Sequence, residues 1–465
     1  MKNKDLNTLK KNTVFSNDFI WGVATSSYQI EGAPDSDGKG PSVWDTFSHT
    51  PGKIKNNDNG DLACDHYNLW PQDIKLMVKL GINAYRFSIS WPRIFPTGVE
   101  KTPNQLGLDF YDRIVDSLLE NNITPFITLN HWDMPQGLED HGGWPNRSIV
   151  EQFVKYTHHV SKVLGDRVKN WITHNEPWCI SYLGYIIGRK PPGLINAWPK
   201  SLATAHHLLL SNGIAIKEIK LNSHQSQVGI TLNLNTAEPA SKSSYDNEAC
   251  QLYDSQFNRL YLDPIYKGEY PNNLFQYLIN KDLIKESDLD FIRPNDLKII
   301  SDKMDFLGVN YYSRAIIRDE EVDDKKNLPQ TIKMGPKTDF GWEVYPTGIY
   351  DLMMRLKNDY HVPKIYITEN GCSYGDSPNE SGIINDQKRI DYYSSHLKEL
   401  KKAIYDGAPC EGYFAWSLMD NFEWAEGYSQ RFGLVWIDFD SLKRIPKNSF
   451  YWYKNYISKN GNENS

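Results

Sequence analysis

Hydrophobic and polar positions along this chain follow two alternating rhythms. Eight short runs rich in β-branched or other apolar residues recur at Phe19–Ala24, Ala84–Ile89, Pro125–Leu129, Asn170–Thr173, Val228–Leu232, Phe306–Val309, Lys364–Thr368 and Tyr413–Trp416. Runs this short, bounded by turn-forming residues, read as buried strands. Between them, stretches such as Asp109–Glu120, Ile149–Leu164, Leu202–Ile219 and Gln387–Tyr405 carry apolar residues three and four apart, the spacing of amphipathic helices. Strands alternating with helices predict a parallel sheet with helical crossovers, and eight such units close a (β/α)8 TIM barrel, an α/β fold. A chain of 465 residues fits one barrel of this kind. The pattern places that barrel at residues 15–457, after a polar N-terminal extension at 1–14 and before a polar tail at 458–465.

Polar and aromatic residues gather where the runs end: Tyr28-Gln29, Ser90-Trp91, Asn130-His131-Trp132, Asn175-Glu176, Asn233, Asn310-Tyr311-Tyr312, Glu369-Asn370 and Asp420-Asn421. A barrel enzyme carries its active site at the C-terminal mouth of its strands, so this clustering predicts a catalytic mouth. The charged segment Arg318–Lys337 follows the sixth run and is expected to form a long mobile loop over that mouth.

Composition narrows the ligand. Aromatic residues make up 13% of the chain, with 14 Trp and 28 Tyr, and their apolar faces and polar edges suit sugar rings. A net charge of −7 without a long basic run argues against nucleic acid or an anionic membrane as partner. The five cysteines, Cys64, Cys179, Cys250, Cys372 and Cys410, are scattered without a C-x-x-C spacing, which predicts reduced thiols rather than a disulfide framework or zinc site. Residues 1–18 hold no apolar leader segment, and no run of about 18 apolar residues occurs, so a cytoplasmic protein is expected.

The chemistry rests on two glutamates in matching contexts. Retaining hydrolysis of a glycosidic bond needs two carboxyl groups roughly 5–5.5 Å apart, one protonated and one ionised. Trp171-Ile172-Thr173-His174-Asn175-Glu176-Pro177 ends the fourth predicted strand, and Ile365-Tyr366-Ile367-Thr368-Glu369-Asn370-Gly371 ends the seventh. Across a barrel mouth, strands four and seven can bring their ends face to face. Pro177 is expected to stop ladder pairing and Gly371 to permit a tight turn, setting each glutamate where a strand opens into a loop.

With these motifs in view, the sequence resembles glycoside hydrolase family 1, from about Phe15 to Tyr456. Phe19-Ile20-Trp21-Gly22 through Gln29-Ile30-Glu31-Gly32 is similar to the family's N-terminal signature, and Tyr85-Arg86-Phe87-Ser88-Ile89-Ser90-Trp91 to its second-strand segment. Thr173-His174-Asn175-Glu176-Pro177 and Ile367-Thr368-Glu369-Asn370-Gly371 resemble the acid/base and nucleophile motifs. Trp416-Ser417-Leu418-Met419-Asp420-Asn421-Phe422-Glu423-Trp424 resembles the sugar-recognition loop after the eighth strand.

The resemblance implies a β-glucosidase with Glu176 as acid/base and Glu369 as nucleophile, and with Arg86, Tyr312 and Asn310 around them. It places Arg86 and Tyr312 beside Glu369, where a positive charge and a phenol hydrogen bond would hold that carboxylate ionised. It implies a sugar pocket of Gln29, His131, Trp132, Asn175, Glu423 and Trp424, with Trp416 as stacking floor and Asn175 on the 2-hydroxyl. Trp342 is the implied platform for the leaving group, and Phe432 completes the pocket. Small β-glucosides or cello-oligosaccharides are the implied substrates, with fucosides and galactosides as further candidates.

No metal or organic cofactor is expected, because acid/base and covalent catalysis complete the reaction. The glycines between Gly32 and Gly40 miss phosphate-loop spacing, and the adjacent pairs His158-His159 and His206-His207 point in different directions on their predicted helices. A 6-phospho-β-glycosidase would need a basic group where Glu423, Trp424 and Glu426 stand, and the recognition loop offers none before Arg431. A thioglucosidase-like enzyme would carry glutamine in place of Glu176. A binding-only barrel would lack part of the catalytic set, which here is whole.

Overall fold

The structure is a computed structural model that describes residues 15–319, 331–332 and 334–461. All eight predicted runs are strands: β1 (Ile20–Ala24), β2 (Ala84–Ser88), β3 (Thr124–Asn130), β4 (Asn170–Asn175), β5 (Gln227–Asn233), β6 (Phe306–Asn310), β7 (Ile365–Asn370) and β8 (Cys410–Trp416). Each pairs in parallel with its sequence neighbours, and β8 pairs with β1 to close the barrel. The predicted TIM barrel is therefore the fold.

Several strands run further toward the mouth than their apolar runs. Asn130, His174, Asn175, Asn233, Asn310, Glu369 and Asn370 all lie inside strands, and Asn233 and Glu369 both pair with Asn310. Hydrophobicity marks where side chains are buried in oil, whereas the ladder is held by backbone hydrogen bonds that polar residues make equally well. The last rungs of the barrel are thus both sheet and active-site wall.

Below these rungs the lumen is plugged. Phe126 meets Tyr366 and Phe414 edge to face, Tyr366 meets Phe306 the same way, and Ala24, Ala84 and Ile172 fill the gaps. This aromatic layer gives the mouth a dry floor. Outside, the helix Ile149–Leu164 spans its predicted range and buries Ile149, Val150, Phe153, Tyr156, Val160 and Leu164 along one stripe. The helix predicted at Leu202–Ile219 covers Trp198–Asn222 and is buried on nearly every face from Ser201 to Gly213. Its Thr204, His206, His207 and Asn212 are covered by neighbouring elements, so a stripe of apolar residues understates its length.

At the mouth, Ala237–Pro239, Ala315–Ile317 and Thr331–Ile332 form a small three-stranded sheet. It takes up part of the segment expected to be a mobile loop: Thr331 and Ile332 pair antiparallel with Ile317 and Ile316, while 320–330 and 333 lie outside the described residues. The expected extension at 1–14 and residues 462–465 lie outside them too. Residues 459–461, expected in a polar tail, pack against the base of the barrel. Asn460 accepts from Trp21 Nε1 at 3.0 Å and donates to the Phe15 carbonyl at 3.0 Å. Among the described residues, no helix is long and apolar enough to cross a membrane.

Candidate active site

Glu176 and Glu369 reach the mouth by different local devices. Glu176 follows β4 with left-handed backbone angles (φ 47°, ψ 69°), and its N–H still donates to the Thr231 carbonyl of β5 at 2.9 Å. Such angles cost a residue with a Cβ on the order of 1 kcal/mol, a strain that functional sites retain. Pro177 then opens the helix Pro177–Tyr182 at its first position, where its missing N–H costs nothing. Glu369 instead stays within β7, beyond a register shift that follows Ile367 and re-aims the strand end. Gly371 was expected to serve a tight turn; its requirement is close approach, because an added Cβ would lie 1.8 Å from the Trp416 carbonyl oxygen.

The two carboxylates are held by one connected set of donors. Arg86 Nη1 donates to Glu369 Oε1 at 2.6 Å, and the Tyr312 hydroxyl donates to Oε2 at 2.6 Å. Asn310 Nδ2 donates to Glu176 Oε1 at 2.7 Å and to Asn175 Oδ1 at 3.0 Å. Thr368 Oγ1 donates to Asn310 Oδ1 at 2.8 Å, which fixes which way the Asn310 amide faces. Arg86 Nη2 also donates to Asn175 Oδ1, at 2.7 Å. With its oxygen taken by two donors, Asn175 must offer Nδ2 to His131 Nε2 at 3.0 Å, so the imidazole proton sits on Nδ1. That Nδ1–H is buried and meets no partner among the described residues.

The two carboxylates border a cavity of about 400 Å³ lined by His131, Trp132, Glu176, Asn310, Tyr312, Trp342, Glu369, Trp416, Glu423, Trp424 and Phe432 among others. His131 stacks between Trp416 and Trp424, with interplanar angles of 18° and 14°. Trp342 packs on Tyr312 and Phe432, forming the opposite aromatic wall. Three of the expected residues stand one layer back: Arg86, Asn175 and Gln29 do not line the cavity. Asn175, expected on a sugar hydroxyl, is the hub that joins Arg86, Asn310 and His131. Gln29 is fully buried, accepts from Ser26 Oγ at 2.6 Å, and donates to the Phe422 carbonyl at 2.9 Å and toward Glu423 Oε2 at 3.4 Å.

The electrostatics differ from expectation in one respect. Burial pushes the Glu369 carboxyl up to about 7, against the lowering pull of Arg86 and with a further rise from Glu176. Arg86 and Tyr312 act in the expected direction, but removal from water outweighs them. Burial likewise lifts Glu423 to about 8, opposed by Lys190. His131 is held well below the usual imidazole range by burial, Arg86 and Lys190, and so stays neutral.

A buried pair of carboxyls, one clamped by a guanidinium and a phenol, under a slot walled by tryptophans, is an arrangement for cutting a glycosidic bond. Known proteins agree. The model of glycosyl hydrolase family 1 matches residues 11–462. The chain belongs to glycosyl hydrolase family 1. It is 46% identical to beta-glucosidase A of Thermotoga maritima, over 97% of this chain and 99% of that one. It is 48% identical to beta-glucosidase A of Acetivibrio thermocellus, over 96% and 99%. The solved family 1 β-glucosidase from Thermotoga maritima superposes with a TM-score of 0.91 at 45% identity, covering 97% of this chain and 99% of that one.

As a family 1 hydrolase, the chain carries features that sequence reasoning passed over. Cys179 Sγ donates to Glu176 Oε2 at 3.0 Å, so both oxygens of Glu176 accept hydrogen bonds; a proton on Oε2 requires the thiol to turn from donor to acceptor. Read as one of five scattered cysteines, Cys179 stands three residues after Glu176 in a helix, and only that spacing hints at contact. Arg431, noted as the nearest base in the recognition loop, is bound to Asp420 at 2.7 Å and to the Ile437 carbonyl. The bases that do reach the cavity are Arg189 and Lys190, from the connection between β4 and β5, and Arg314.

Proposed function

We propose that the protein is a retaining β-glucosidase releasing terminal, non-reducing β-D-glucosyl residues from aryl glucosides and short cello-oligosaccharides such as cellobiose, with fucosides and galactosides as secondary substrates. In the first step Glu369 attacks the anomeric carbon while Glu176 gives its proton to the glycosidic oxygen. The C1–O bond to the leaving group breaks and a glycosyl ester to Glu369 forms. In the second, water attacks C1 as Glu176 takes its proton, the ester bond breaks, and the sugar leaves with its β configuration.

The observation carrying this reading is the unequal treatment of the two carboxylates. Glu369 has a cation on one oxygen and a phenol on the other, suited to the group that must be an anion and a nucleophile. Glu176 has an amide and a thiol, the second of which can reverse its hydrogen bond when the proton moves. Trp416 and Trp424 supply the apolar floor and wall for the sugar, Glu423 an acceptor for its hydroxyls, and Trp342 and Phe432 the surface for the leaving group. Five unpaired, buried thiols favour a reducing compartment, in keeping with a cytoplasmic enzyme.

The test is release of p-nitrophenol from p-nitrophenyl β-D-glucopyranoside, with the anomer of the freed glucose followed by NMR. β-Glucose should appear first; α-glucose would refute retention, and no release would leave a binding-only barrel. The neutral glucoside should exceed its 6-phosphate in kcat/KM by about tenfold or more, since a dianion would share the cavity with Glu176, Glu369 and Glu423. Preference for the phosphate would assign the enzyme to phosphorylated sugars instead.

A further inference from the structure

The cavity wall carries three cations among its described residues besides the neutral His131, and two are already committed. Arg189 pairs with Glu426, and Arg314 pairs with Glu343 and Glu238. The third, Lys190, meets no carboxylate or carbonyl with its ammonium among the described residues. Its Nζ stands 3.1 Å from the ring centroid of Trp132, 5.3 Å from that of Trp424 and 6.0 Å from that of Trp44. Trp44 and Trp132 each pack on Trp424 with centroids 4.5 Å apart, so the three indoles form a rigid cradle under the charge.

We propose that Lys190 is a substrate-binding and specificity-determining residue, its ammonium donating to hydroxyl oxygens at the end of the sugar that Glu423 holds. The inference rests on the β-glucosidase reading. An ammonium has three donors and no acceptor, and Lys190 is half-buried on the cavity wall, so those donors are open to whatever enters the cavity. A sugar hydroxyl between Glu423 and Lys190 satisfies both, giving its proton to the carboxylate and its lone pair to the ammonium. The indole faces attract the charge and take up the N–H that points at Trp132, so the cradle aims the remaining donors at the ligand.

The backbone around Lys190 is fixed for this purpose. Arg189 and Lys190 both donate their N–H to the Leu183 carbonyl, at 3.0 and 3.3 Å, and Leu194 N–H returns to the Gly184 carbonyl at 2.9 Å. Pro191 and Pro192 stiffen the next two positions, and the Arg189–Glu426 pair ties the loop to the recognition loop that bears Glu423 and Trp424. Much of the entropy of holding a long side chain is thus met before substrate arrives. Burial draws the Lys190 pKa below the ordinary lysine value, and the carboxyl groups of Glu176, Glu423 and Glu369 pull it back toward the charged form.

The experiment compares wild type, Lys190→Met and Lys190→Arg on p-nitrophenyl β-glucoside and its 3-, 4- and 6-deoxy analogues, with the Tm of each protein recorded. Lys190→Met should lose roughly ten- to a hundredfold in kcat/KM on the glucoside, the worth of a charged hydrogen bond. On the analogue lacking the hydroxyl that Lys190 holds, the loss should shrink by about fivefold or more. Lys190→Arg should recover part of the activity. Equal losses on every sugar, or no loss at all, would overturn the proposal, the first outcome making Lys190 a packing element of the tryptophan wall. Should Lys190→Met fail to fold, Lys190→Arg alone decides, because moving the charge reorders the deoxy sugars if the residue touches them and leaves their order unchanged if it does not. A wild type inactive on all four sugars would instead sink the β-glucosidase reading itself.

Discussion

Arg86 stands 2.6 Å from Glu369, a fully buried guanidinium on β2 gripping a carboxylate on β7 across the barrel mouth. The same guanidinium donates to Asn175 on β4, so one side chain ties together three strands and the surroundings of both proposed catalytic carboxylates. Because Tyr312 occupies the second oxygen of Glu369, that carboxylate cannot rotate without losing a charged or a short hydrogen bond, and it is held ready for attack.

Removing the proposed nucleophile should expose its role by rescue. Glu369→Gly is expected to lose at least about a thousandfold in kcat, and added azide or formate should restore part of it by entering the vacated volume. The rescued product should be the α-glycosyl adduct, since the anion attacks from the face Glu369 occupied. A β-adduct, or activity independent of the anion, would remove Glu369 from the mechanism.

Burial sets the acid side of the pH profile. Glu369 must be ionised in the free enzyme, and its pKa is pushed up to about 7, so kcat/KM should fall as pH drops through neutrality rather than near the usual carboxylate range. Arg86 opposes the rise, so Arg86→Gln should move this limb to still higher pH. Glu176→Gln should spare dinitrophenyl glucosides relative to alkyl glucosides, because a good leaving group departs without a proton from residue 176. An acid limb below about pH 5 in wild type, where an unshifted glutamate would place it, would contradict the electrostatic picture.

Glu423 should exact a cost in stability. Its pKa is lifted from an ordinary 4.5 to about 8, so between those values the unfolded chain releases a proton that the folded protein keeps. Stability is therefore full below the unfolded pKa and is lost as pH rises toward the folded one. Glu423→Gln should remove this penalty, raising stability by on the order of 1–2 kcal/mol at pH 8–9 and by little at pH 5, after discounting for the partial exposure of the side chain. Thermal unfolding at the two pH values checks the difference, and a gain confined to pH 5 would reverse the sign. The same variant should weaken sugar binding, because a neutral amide replaces the acceptor.

What the sequence by itself determined is the barrel and its principal chemistry. Eight apolar runs alternating with helical stripes require only local periodicity to be seen, and the ends of strands four and seven, three places apart in a closed eight-stranded barrel, open on the same mouth whatever their loops do. Glu176 and Glu369 were legible because each ends such a run beside residues that halt or redirect a strand. Family likeness then carried the roles of Arg86, Tyr312 and the tryptophans.

Tertiary structure alone decided the rest, because it depends on which surfaces meet. The pairing of Glu369 with Asn310, the orientation of the Asn175 amide and hence the His131 tautomer follow from hydrogen bonds between residues dozens of positions apart. The rise of the Glu369 pKa follows from how much water the assembled mouth excludes, a quantity no local motif contains. Lys190 lies in a charged, proline-rich stretch that reads as a surface loop, and it faces the cavity only because Trp44, Trp132 and Trp424 converge there from three distant segments of the chain.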